Sequence, residues 1–515
     1  MTARTILDLY RLSIATSRDG YAVHHVLGGS RAFSTREFHQ RTVALATAFA
    51  ELGVQRGDRV LLLCENRPEW HMIDVATLAI GAINVPVYPT LTPAQLAYQL
   101  QDSGAVAAVV ENAEQMQKFL AIRGECPDLE HLIQIEGVCA PGAKGLDDLI
   151  AAGDVPNAEE TFWARASEID EGDLATIVYT SGTTGEPKGV MLTHRNFVSN
   201  ALHILPRLPL GADDLALEFL PLCHVFERCA GYLYFAVGAR RAYCTVATVG
   251  DLLAIIRPTA FCSVPRVFEK VFDRVHARVA AAPPLRRKLF HWAEEVGREA
   301  SRHRLAGTPL PPGLRLRHQL ADALVLKKIR AAMGGRVKGI ISGAAPLPLY
   351  ANEFFHAVGI PVQEGYGLTE TSPAIGVNGY QPGANRLGSI GRPLDNLEVK
   401  LAEDGELLVR GPSVAKGYWR KPEATAEAFD PDGFFHTGDI ARIDADGFIY
   451  ITDRKKDIIV TAGGKNVAPQ PIENRLKQST WVDNAVLIGD RRPFIVALLS
   501  PNLEALTAYA RDKGW

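Results

Sequence analysis

Short apolar runs rich in β-branched residues alternate with helical segments through the first half of this chain. The runs are Val60–Cys64, Ile83–Tyr88, Ala105–Val110, His131–Ile135 and Leu174–Tyr179. This alternation is typical of parallel βαβ layers, in which a helix connects each strand to the next. The sequence therefore predicts an α/β fold whose large N-terminal domain contains parallel strands covered by helices.

The second half of the chain has a different texture. A length of 515 residues is several times what one hydrophobic core organises, so two or more domains are expected. From Gly388 to Thr452 short strands recur between turn pairs such as Asp404-Gly405, which predicts a small antiparallel barrel or sheet. We therefore expect a large domain over residues 1–452, with α/β layers to about 387 and a β-barrel-like part over 388–452.

A charged segment separates that large domain from the rest of the chain. Residues 453–457 read Asp-Arg-Lys-Lys-Asp between two apolar runs, which suits a hinge, although such a run is usually a solvated surface. Beyond it we expect strand, helix (Pro469–Leu476), strand (Ala485–Ile488), strand (Phe494–Leu499) and helix (Leu503–Ala510). The sequence predicts a small α+β domain over 453–515, with no further strand to complete its sheet.

Charge and cysteine usage exclude several classes of protein. With 55 Lys and Arg against 58 Asp and Glu, the chain lacks the basic excess of a nucleic-acid-binding protein. Seven cysteines without metal-binding spacing indicate reduced thiols in a cytoplasmic protein. No export signal is visible near Met1, and the charge-free window Val75–Gln101 is interrupted by prolines, so it is expected to form helix, buried strand and loop.

A basic stretch lies between Pro283 and Arg330. It carries eleven Lys and Arg from Arg286 onward against four acidic residues, and Phe290 and Trp292 lie close to its first cationic cluster. The stretch predicts helices with one basic face. That face is either simply solvated or a peripheral contact with an anionic membrane surface.

The segment most informative about chemistry follows the last of the apolar runs. Residues 179–189 read Tyr-Thr-Ser-Gly-Thr-Thr-Gly-Glu-Pro-Lys-Gly. Three glycines allow backbone N–H groups to approach a ligand, while four hydroxyls and a lysine can bind phosphate oxygens. The pattern matches neither a Walker A loop nor a dinucleotide-binding loop, yet it predicts a phosphate site.

With this loop, the chain resembles the adenylate-forming superfamily and, within it, the long-chain fatty acid–CoA ligases. The resemblance extends from about Arg36 to Trp515, and five further motifs occur in the family's order. They are residues 220–228 (LPLCHVFER), 342–346 (SGAAP), 364–371 (EGYGLTET), 436–439 (HTGD), and 453–457 with 463–466 (DRKKD and GGKN). Together these motifs are highly specific, whereas any one alone is weak.

The resemblance implies a two-step reaction with ATP, Mg²⁺ and coenzyme A. A fatty acid carboxylate first attacks the α-phosphate of ATP, which gives an acyl-adenylate and pyrophosphate. The thiol of coenzyme A then displaces AMP to form a thioester. The first step brings anions together, so cations and hydrogen-bond donors must surround the triphosphate.

The resemblance also assigns roles to residues of the nucleotide site. The phosphate loop is expected to bind the β- and γ-phosphates, Glu370 to bind magnesium, and Thr369 to contact the α-phosphate. Tyr366 is expected to stack on adenine, and Asp439 and Arg454 to bind the ribose. The loop residues assigned to the nucleotide are Thr180, Ser181, Gly182, Thr183, Thr184, Gly185 and Lys188. The other expected contacts are Gly343, Ala344, Ala345, Glu364, Gly365 and Gly367.

Two further assignments concern the acyl group and coenzyme A. His224 lies among apolar residues, where a lone histidine is usually part of the core, but the family places an aromatic residue or histidine here beside the acyl carboxylate. Gly463, Gly464 and Lys465 resemble a loop that enters the site for thioester formation, although an isolated Gly-Gly-Lys favours a hairpin turn. The expected catalytic residues are thus His224, Lys188, Thr369 and Glu370.

Two alternatives to a fatty acid–CoA ligase follow from the same motifs. One is an adenylate-forming enzyme with another acceptor, of the acyl-AMP ligase, carboxylic acid reductase or luciferase type. The other is a nucleotide-binding protein with impaired turnover. The latter is suggested because no Pro-Thr-Leu-Lys-like segment occurs after Asp453, whereas the family uses a lysine there in the first step. On that basis the chain as written is expected to form the adenylate poorly.

Overall fold

The strands and helices of the computed structural model are numbered here in chain order. The structure describes residues 3–17, 21–26, 28–180, 186–462, 465–477 and 479–515. The strands are β1 Ala22–Val26, β2 Gly29–Phe33, β3 Arg59–Leu63, β4 Ile83–Pro86, β5 Ala105–Val110, β6 His131–Gln134, β7 Lys144–Gly145, β8 Leu174–Thr180, β9 Lys188–Thr193, β10 Leu215–Glu218, β11 Arg240–Tyr243, β12 Ala260–Ser263, β13 Gly339–Ser342, β14 Val362–Gly367, β15 Ala374–Val377, β16 Arg392–Pro393, β17 Glu398–Leu401, β18 Glu406–Arg410, β19 Phe435–Ile443, β20 Ile449–Arg454, β21 Ile459–Val460, β22 Asn466–Val467, β23 Val482–Ile488 and β24 Val496–Pro501.

The helices alternate with these strands over most of the chain. They are α1 Ile6–Thr16, α2 Thr35–Glu51, α3 Pro68–Ala79, α4 Pro93–Ser103, α5 Ala113–Ile122, α6 Leu146–Gly153, α7 Ala158–Ser167, α8 His194–Ile204, α9 Val225–Val237, α10 Val249–Ile256, α11 Pro265–Ala280, α12 Pro284–Ala306, α13 Pro312–Ala321, α14 Lys327–Ala332, α15 Leu349–Val358, α16 Pro422–Ala428, α17 Pro469–Leu476 and α18 Leu503–Asp512. Single 3₁₀ turns lie at Arg123–Glu125, Leu205–Arg207 and Thr369–Thr371, and a π-helical turn at Asp322–Leu326 joins α13 to α14.

Two large sheets form the α/β part of the molecule. One has seven strands in the order β7-β6-β5-β3-β4-β8-β9, and the other has nine in the order β16-β15-β14-β13-β12-β10-β11-β1-β2. Neighbours are parallel except at the margins, where β8 pairs antiparallel with β9, β1 with β2, and β14–β16 form an antiparallel meander. The predicted parallel layers are confirmed, and all five predicted runs are strands in the seven-stranded sheet.

Helix α3 shows how the core is built between the two sheets. Every residue from Pro68 to Ala79 is buried, so this helix is covered on all sides rather than on one face. The expected sequence of helix, buried strand and loop over Val75–Gln101 is confirmed by α3, β4 and the connection to α4. No helix among the described residues combines the length and hydropathy needed to cross a bilayer.

The strand-rich part near residue 400 is an open antiparallel sheet. Strands β17, β18, β19 and β20 follow one another in chain order and pair with their neighbours, so β17 and β20 form the edges. The expectation of a barrel was therefore wrong for the described residues, and the alternative of a sheet is what forms. Four short strands are too few to close a barrel around a filled interior.

The last part of the chain contains two strand pairs and two helices. The predicted helix Pro469–Leu476 has the predicted bounds, and the two predicted strands appear as the antiparallel pair β23 and β24. Strand β20 continues into the charged segment at Asp453 and Arg454, which joins this part to the four-stranded sheet. The domain boundaries given above stay a prediction.

Candidate active site

A cavity of about 710 Å³ lies where the carboxyl end of β14, the start of α9, strand β19 and the charged segment after β20 meet. Twelve of the sequence-predicted site residues line it. They are Thr180, Lys188, His224, Gly343, Ala344, Gly365, Tyr366, Gly367, Thr369, Glu370, Asp439 and Arg454. Motifs separated by up to 274 residues in the chain are thus brought to one place.

The two ends of the phosphate loop are fixed by strand pairing. Thr180 is the last residue of β8, Lys188 is the first of β9, and these two residues are paired across the hairpin. The loop residues Ser181, Gly182, Thr183, Thr184 and Gly185 lie outside the described residues, as do Gly463 and Gly464. The hairpin directs Thr180 and Lys188 into the cavity.

Glu370 and Lys188 meet the same aromatic side chain. The Tyr418 hydroxyl donates a hydrogen bond to Glu370 Oε1 at 2.8 Å, and Lys188 Nζ lies 5.1 Å from the centre of the Tyr418 ring. Burial, and then the neighbouring Glu370, raise the pKa of Tyr418, so its hydroxyl stays protonated and acts as the donor. Tyr418 therefore orients the carboxylate that the sequence predicts as a metal ligand.

A second tyrosine–carboxylate pair lies at the other end of the polar wall. Tyr366 donates a short hydrogen bond to Asp439 Oδ2, and Arg454 Nε lies 3.2 Å from Asp439 Oδ1. Burial raises the pKa of Asp439, while Tyr366 and Arg454 act in the opposite direction. The predicted adenine-stacking residue and the two predicted ribose-binding residues are therefore in direct contact with one another.

The glycine in the Ser-Gly-Ala-Ala-Pro motif packs closely against an aromatic ring. A Cβ atom at Gly343 would lie 3.0 Å from the ring of Phe226, which also lines the cavity. Ala344 has a left-handed backbone with φ 68°, which turns the chain away from β13. Gly343 and Ala344 reach the cavity surface, whereas Ala345 does not line it.

His224 caps the first turn of α9. Its Nδ1 accepts a hydrogen bond from the Phe226 N–H at 3.1 Å, so the neutral ring carries its proton on Nε2. Burial lowers the pKa of His224, which favours that neutral form. The imidazole lines the cavity. This position is compatible with the expected place of His224 beside the acyl carboxylate.

The cavity has an apolar half as well as a polar one. Leucine, aromatic and β-branched side chains from α8, the connection between α8 and β10, α9 and the nine-stranded sheet form this wall: Ile204, Leu208, Leu210, Phe226, Leu233, Phe261, Ile341 and Val377. The small residues Gly339 and Ala260 accompany them in the lining. The apolar wall is continuous with the polar residues, since both line a single cavity.

Besides Ala345, two predicted contacts among the described residues do not line the cavity. Glu364 is buried, and its Oε1 accepts hydrogen bonds from Asn352 Nδ2 at 2.9 Å and Gly388 N–H at 3.0 Å. Its side chain therefore links β14 to α15 and to the segment after β15, and it does not line the cavity. Lys465 is exposed and does not line the cavity, and its N–H donates to Thr461 Oγ1 at 3.2 Å.

Several cavity residues were missed from the sequence. Tyr418, Phe226, Glu406 and Lys455 line the cavity, and Lys455 Nζ binds Glu406 Oε2 at 2.9 Å. Phe226 belongs to the motif of residues 220–228. Tyr418 belongs to none of the motifs, so its position in the cavity is seen only in the folded chain. Among the described residues, no group of three or more His, Cys, Asp or Glu side chains could hold a metal by itself.

A buried polar network ties α9 to the strand of the phosphate loop. Arg228 is fully buried, and it donates to Thr176 Oγ1 on β8 at 2.6 Å, to Asp74 Oδ1 on α3 at 2.6 Å and to the Tyr232 hydroxyl at 2.7 Å. Tyr232 in turn donates to Asp74 Oδ2 at 2.6 Å. The helix that begins at His224 is thereby attached to the strand that ends at Thr180.

Comparison with known proteins agrees with this geometry. Residues 13–419 match the AMP-binding enzyme family, and residues 456–513 match the AMP-binding enzyme C-terminal domain. The chain is 40% identical over 486 residues to the long-chain-fatty-acid–CoA ligase FadD15 of Mycobacterium bovis, which covers 92% of this chain and 76% of that protein. It is 33% identical over 503 residues to the long-chain-fatty-acid–CoA ligase ACSBG2 of Xenopus laevis, covering 93% and 67% respectively.

A solved structure shares the fold. ATP-bound MatB from Rhodopseudomonas palustris superimposes with a TM-score of 0.71 at 26% identity, over 96% of this chain and 88% of that one. The match to the family model spans most of the chain. This protein therefore belongs to the AMP-binding enzyme family.

Proposed function

We propose that this protein is an ATP-dependent, AMP-forming ligase that joins a long-chain fatty acid to coenzyme A. The observation that carries the proposal is one cavity with two chemically different halves. Cationic, hydroxyl and carboxylate groups line one half, and leucine and aromatic side chains line the other. A fatty acid whose carboxylate reacts with a nucleotide needs both halves side by side. The names of the relatives at 40% and 33% identity support the same activity.

In the first step the substrate carboxylate attacks the α-phosphorus of ATP, and the bond from that phosphorus to the bridging oxygen breaks. Pyrophosphate leaves with the electron pair of the broken bond. Lys188 and Thr180 line the cavity, and their ammonium and hydroxyl groups would stabilise this negative charge. The neutral imidazole of His224 would donate a hydrogen bond from its Nε2–H to the substrate carboxylate. Such preorganised donors commonly contribute about a hundredfold or more to the rate.

The donor set of the cavity fits magnesium. Mg²⁺ usually binds through one or two carboxylates together with substrate phosphates, and not in an all-protein cage. Glu370 supplies one carboxylate whose orientation Tyr418 fixes. When bound there, the ion would neutralise part of the triphosphate charge.

In the second step the sulfur of coenzyme A attacks the acyl carbonyl carbon, and the bond to the AMP oxygen breaks. The thiol proton is released, and AMP leaves as the phosphate monoester. The paired side chains of Asp439 and Arg454 would hold the ribose of AMP while this exchange occurs. Lys465 lies outside the cavity in this arrangement, so its part in the second step requires the small domain to move.

A product assay tests this function. The protein is incubated with ATP, Mg²⁺, coenzyme A and single fatty acids from short to long chain length. We expect AMP, pyrophosphate and an acyl–CoA in equal amounts, with long-chain acids preferred. Formation of AMP and acyl-adenylate without any CoA thioester would instead indicate another acceptor, and absence of ATP–pyrophosphate exchange would indicate a nucleotide-binding protein without turnover.

We also propose that helices α13 and α14 rest on an anionic membrane surface, from which a fatty acid is drawn. Leu316, Leu320 and Leu324 are 61%, 51% and 47% exposed and recur at four-residue spacing, so they lie along one helical face. Exposed Arg315 and Lys327 flank this leucine stripe. Phe290 and Trp292, which suggested the membrane contact from sequence, instead pack against the core.

Vesicle co-sedimentation tests the membrane contact. Binding to vesicles of equal phosphatidylcholine and phosphatidylglycerol is expected at low salt and should weaken at high salt, because the cationic part is screened. Replacing the stripe by serine (Leu316→Ser, Leu320→Ser, Leu324→Ser) should abolish it, whereas Ile255→Ser, at a 70% exposed position on α10, should not. Absence of binding to anionic vesicles at low salt would contradict the proposal.

A further inference from the structure

The segment that leads to His224 has little secondary structure of its own. Residues 219–224, here called the His224 loop, connect the end of β10 to the start of α9. Within the loop, the His224 N–H donates to the Pro221 carbonyl at 2.9 Å. Three of its other backbone groups hydrogen-bond to buried side chains, and these side chains belong to Asn66 and Glu227.

Asn66 binds the middle of the His224 loop from a distant part of the chain. Its Nδ2 donates to the Leu220 carbonyl at 2.7 Å, and its Oδ1 accepts from the Leu222 N–H at 3.1 Å. The side chain is 2% exposed, and it lies in the connection between β3 and α3. One amide thus satisfies a donor and an acceptor two residues apart, which fixes the loop's backbone relative to the seven-stranded sheet.

Glu227 holds the beginning of the same loop. Its Oε1 accepts from the Phe219 N–H at 3.1 Å, and its side chain is fully buried. Glu227 lies in the first turn of α9, one turn beyond His224, so this bond ties the end of β10 to the helix that His224 caps. Burial, and then the neighbouring Glu218, raise the pKa of Glu227, which favours the neutral carboxyl.

We propose that Asn66 and Glu227 are positioning residues for His224, which fix the height and direction of its imidazole in the cavity. The proposal rests on the role of His224 in the proposed function. Neither side chain lines the cavity, so neither touches the substrate. They act by holding the loop at three backbone groups, while the Phe226 N–H holds the ring through Nδ1. A catalytic donor displaced by about 1 Å can lose roughly a hundredfold in rate.

A titration of His224 tests this without requiring turnover. Protein labelled with ¹³C at histidine Cε1 contains 14 histidines, and the signal absent from His224→Ala identifies His224. In Asn66→Leu and Glu227→Leu we expect its chemical shift to change and its pKa to rise, because a loosened loop admits water around the ring. Glu227→Gln retains an acceptor for the Phe219 N–H, and its His224 signal should match the wild type.

Asn378→Leu is the matched control. Asn378 is fully buried and holds a loop in the same manner, since its Nδ2 donates to the Ser389 carbonyl at 2.6 Å and its Oδ1 accepts from the Arg386 N–H at 3.0 Å. The Asn378→Leu variant should have a lower melting temperature, as Asn66→Leu does, but its His224 signal should be unchanged. Wild-type titration of His224 in both Asn66→Leu and Glu227→Leu would overturn the proposal.

A double-mutant cycle measures the same coupling through activity. Asn66→Leu should slow acyl-adenylate formation by about 10- to 100-fold in the wild-type background. In the His224→Ala background, Asn66→Leu should slow the reaction by less than about threefold further, because the imidazole that Asn66 positions is already absent. Equal slowing in both backgrounds would show that Asn66 acts independently of His224. Inactivity of the wild type would refute the proposed function, while the titration would still decide the positioning role.

Discussion

Tyr418 is the residue through which the metal-binding and phosphate-binding parts of the cavity meet. Its hydroxyl donates to Glu370, and its ring lies under the ammonium group of Lys188. A carboxylate and an ammonium group on separate elements therefore share one rigid support. Both orientations depend on a residue that touches neither phosphate nor metal in the proposed mechanism.

Glu370→Gln should lower Mg²⁺-dependent ATP–pyrophosphate exchange by about a hundredfold or more, because the amide is a poor magnesium ligand. Tyr418→Phe should give a smaller loss, of roughly tenfold, because the carboxylate remains but loses its orienting donor. Tyr450→Phe is the control, since Tyr450 on β20 donates to Asp444 Oδ2 at 3.3 Å and neither residue lines the cavity. Full exchange activity in Glu370→Gln would contradict the metal assignment.

Glu364 gives a pH dependence of stability. Burial raises its pKa from 4.5 to about 7, so the folded state favours the protonated carboxyl. The stability that this group contributes is complete below about pH 4.5 and is lost as the pH rises through about 7. The loss amounts to at most about 3 kcal/mol.

Glu364→Gln should therefore remove part of the decrease in unfolding free energy between pH 5 and pH 8, measured by urea denaturation at each pH. The amide keeps the acceptor for Asn352 and cannot ionise. Glu295→Gln, at an exposed position on α12, serves as the control and should follow the wild-type curve. Parallel curves for Glu364→Gln and the wild type would show that Glu364 does not titrate in this range.

At the level of single residues, the sequence identified the motif residues but not their supports. Thr180, Lys188, Glu370 and Asp439 stand in motifs whose composition already indicates phosphate and nucleotide chemistry. Tyr418 and Asn66 have no such local pattern. Their roles depend on contacts with residues 48 and 154 positions away, and such contacts exist only once the chain is folded.

At the scale of elements, α9 connects the two large sheets. Its first turn carries His224 and Glu227, and Arg228 joins it to β8 and α3 through hydrogen bonds with Thr176 and Asp74. The Arg228–Asp74 pair is fully buried on both sides. Such a pair contributes little net stability as a whole, yet it becomes costly when one partner is removed.

Arg228→Leu should lower the unfolding free energy by about 3–5 kcal/mol, because Asp74 is left as an uncompensated buried charge. The double variant Arg228→Leu with Asp74→Asn should recover part of this loss. Arg410→Leu breaks the exposed pair with Glu398, and it should cost no more than about 1 kcal/mol. Denaturant unfolding of the four proteins measures these differences, and equal losses for Arg228→Leu and Arg410→Leu would contradict the interpretation.

The elements themselves were largely predictable, and the sheet orders were not. Apolar periodicity located all five predicted strands of the first half and the helix Pro469–Leu476 within a few residues. That β10 lies between β12 and β11, or that β1 and β2 from the beginning of the chain extend the nine-stranded sheet, depends on long-range pairing. The strands near residue 400 were predicted but their barrel-like closure was wrong, because short alternating strands occur in barrels and sheets alike.

At the scale of the whole molecule, burial is distributed unevenly. The seven- and nine-stranded sheets enclose most of the buried side chains, whereas from β21 onward the buried hydrophobic side chains among the described residues are Ile459 and Ala485. Every residue of β24 is exposed. Few buried apolar contacts imply a low free energy of local opening.

Hydrogen exchange followed by mass spectrometry should therefore show faster exchange in β23–β24 than in β8–β9. Both are antiparallel pairs of similar length, but β9 is mostly buried and β24 is not. The comparison uses amides that bond across each antiparallel pair, because β8 also pairs with β4 whereas β23 and β24 form a sheet of their own. Similar protection of the two hairpins would mean that the last part of the chain unfolds only with the rest of the molecule.

The continuity of the polar and apolar halves of the cavity has a consequence for inhibition. A stable analogue of the acyl-adenylate, with the reactive phosphate ester replaced by an inert linkage, would fill both halves at once. Once one part of the analogue is bound, its other part would be held at a high effective concentration beside the other half of the cavity. The affinities of the two parts would therefore combine within one molecule. The wall formed by Leu210, Leu233 and Phe261 would then distinguish analogues by their tails, while the nucleotide part stayed the same.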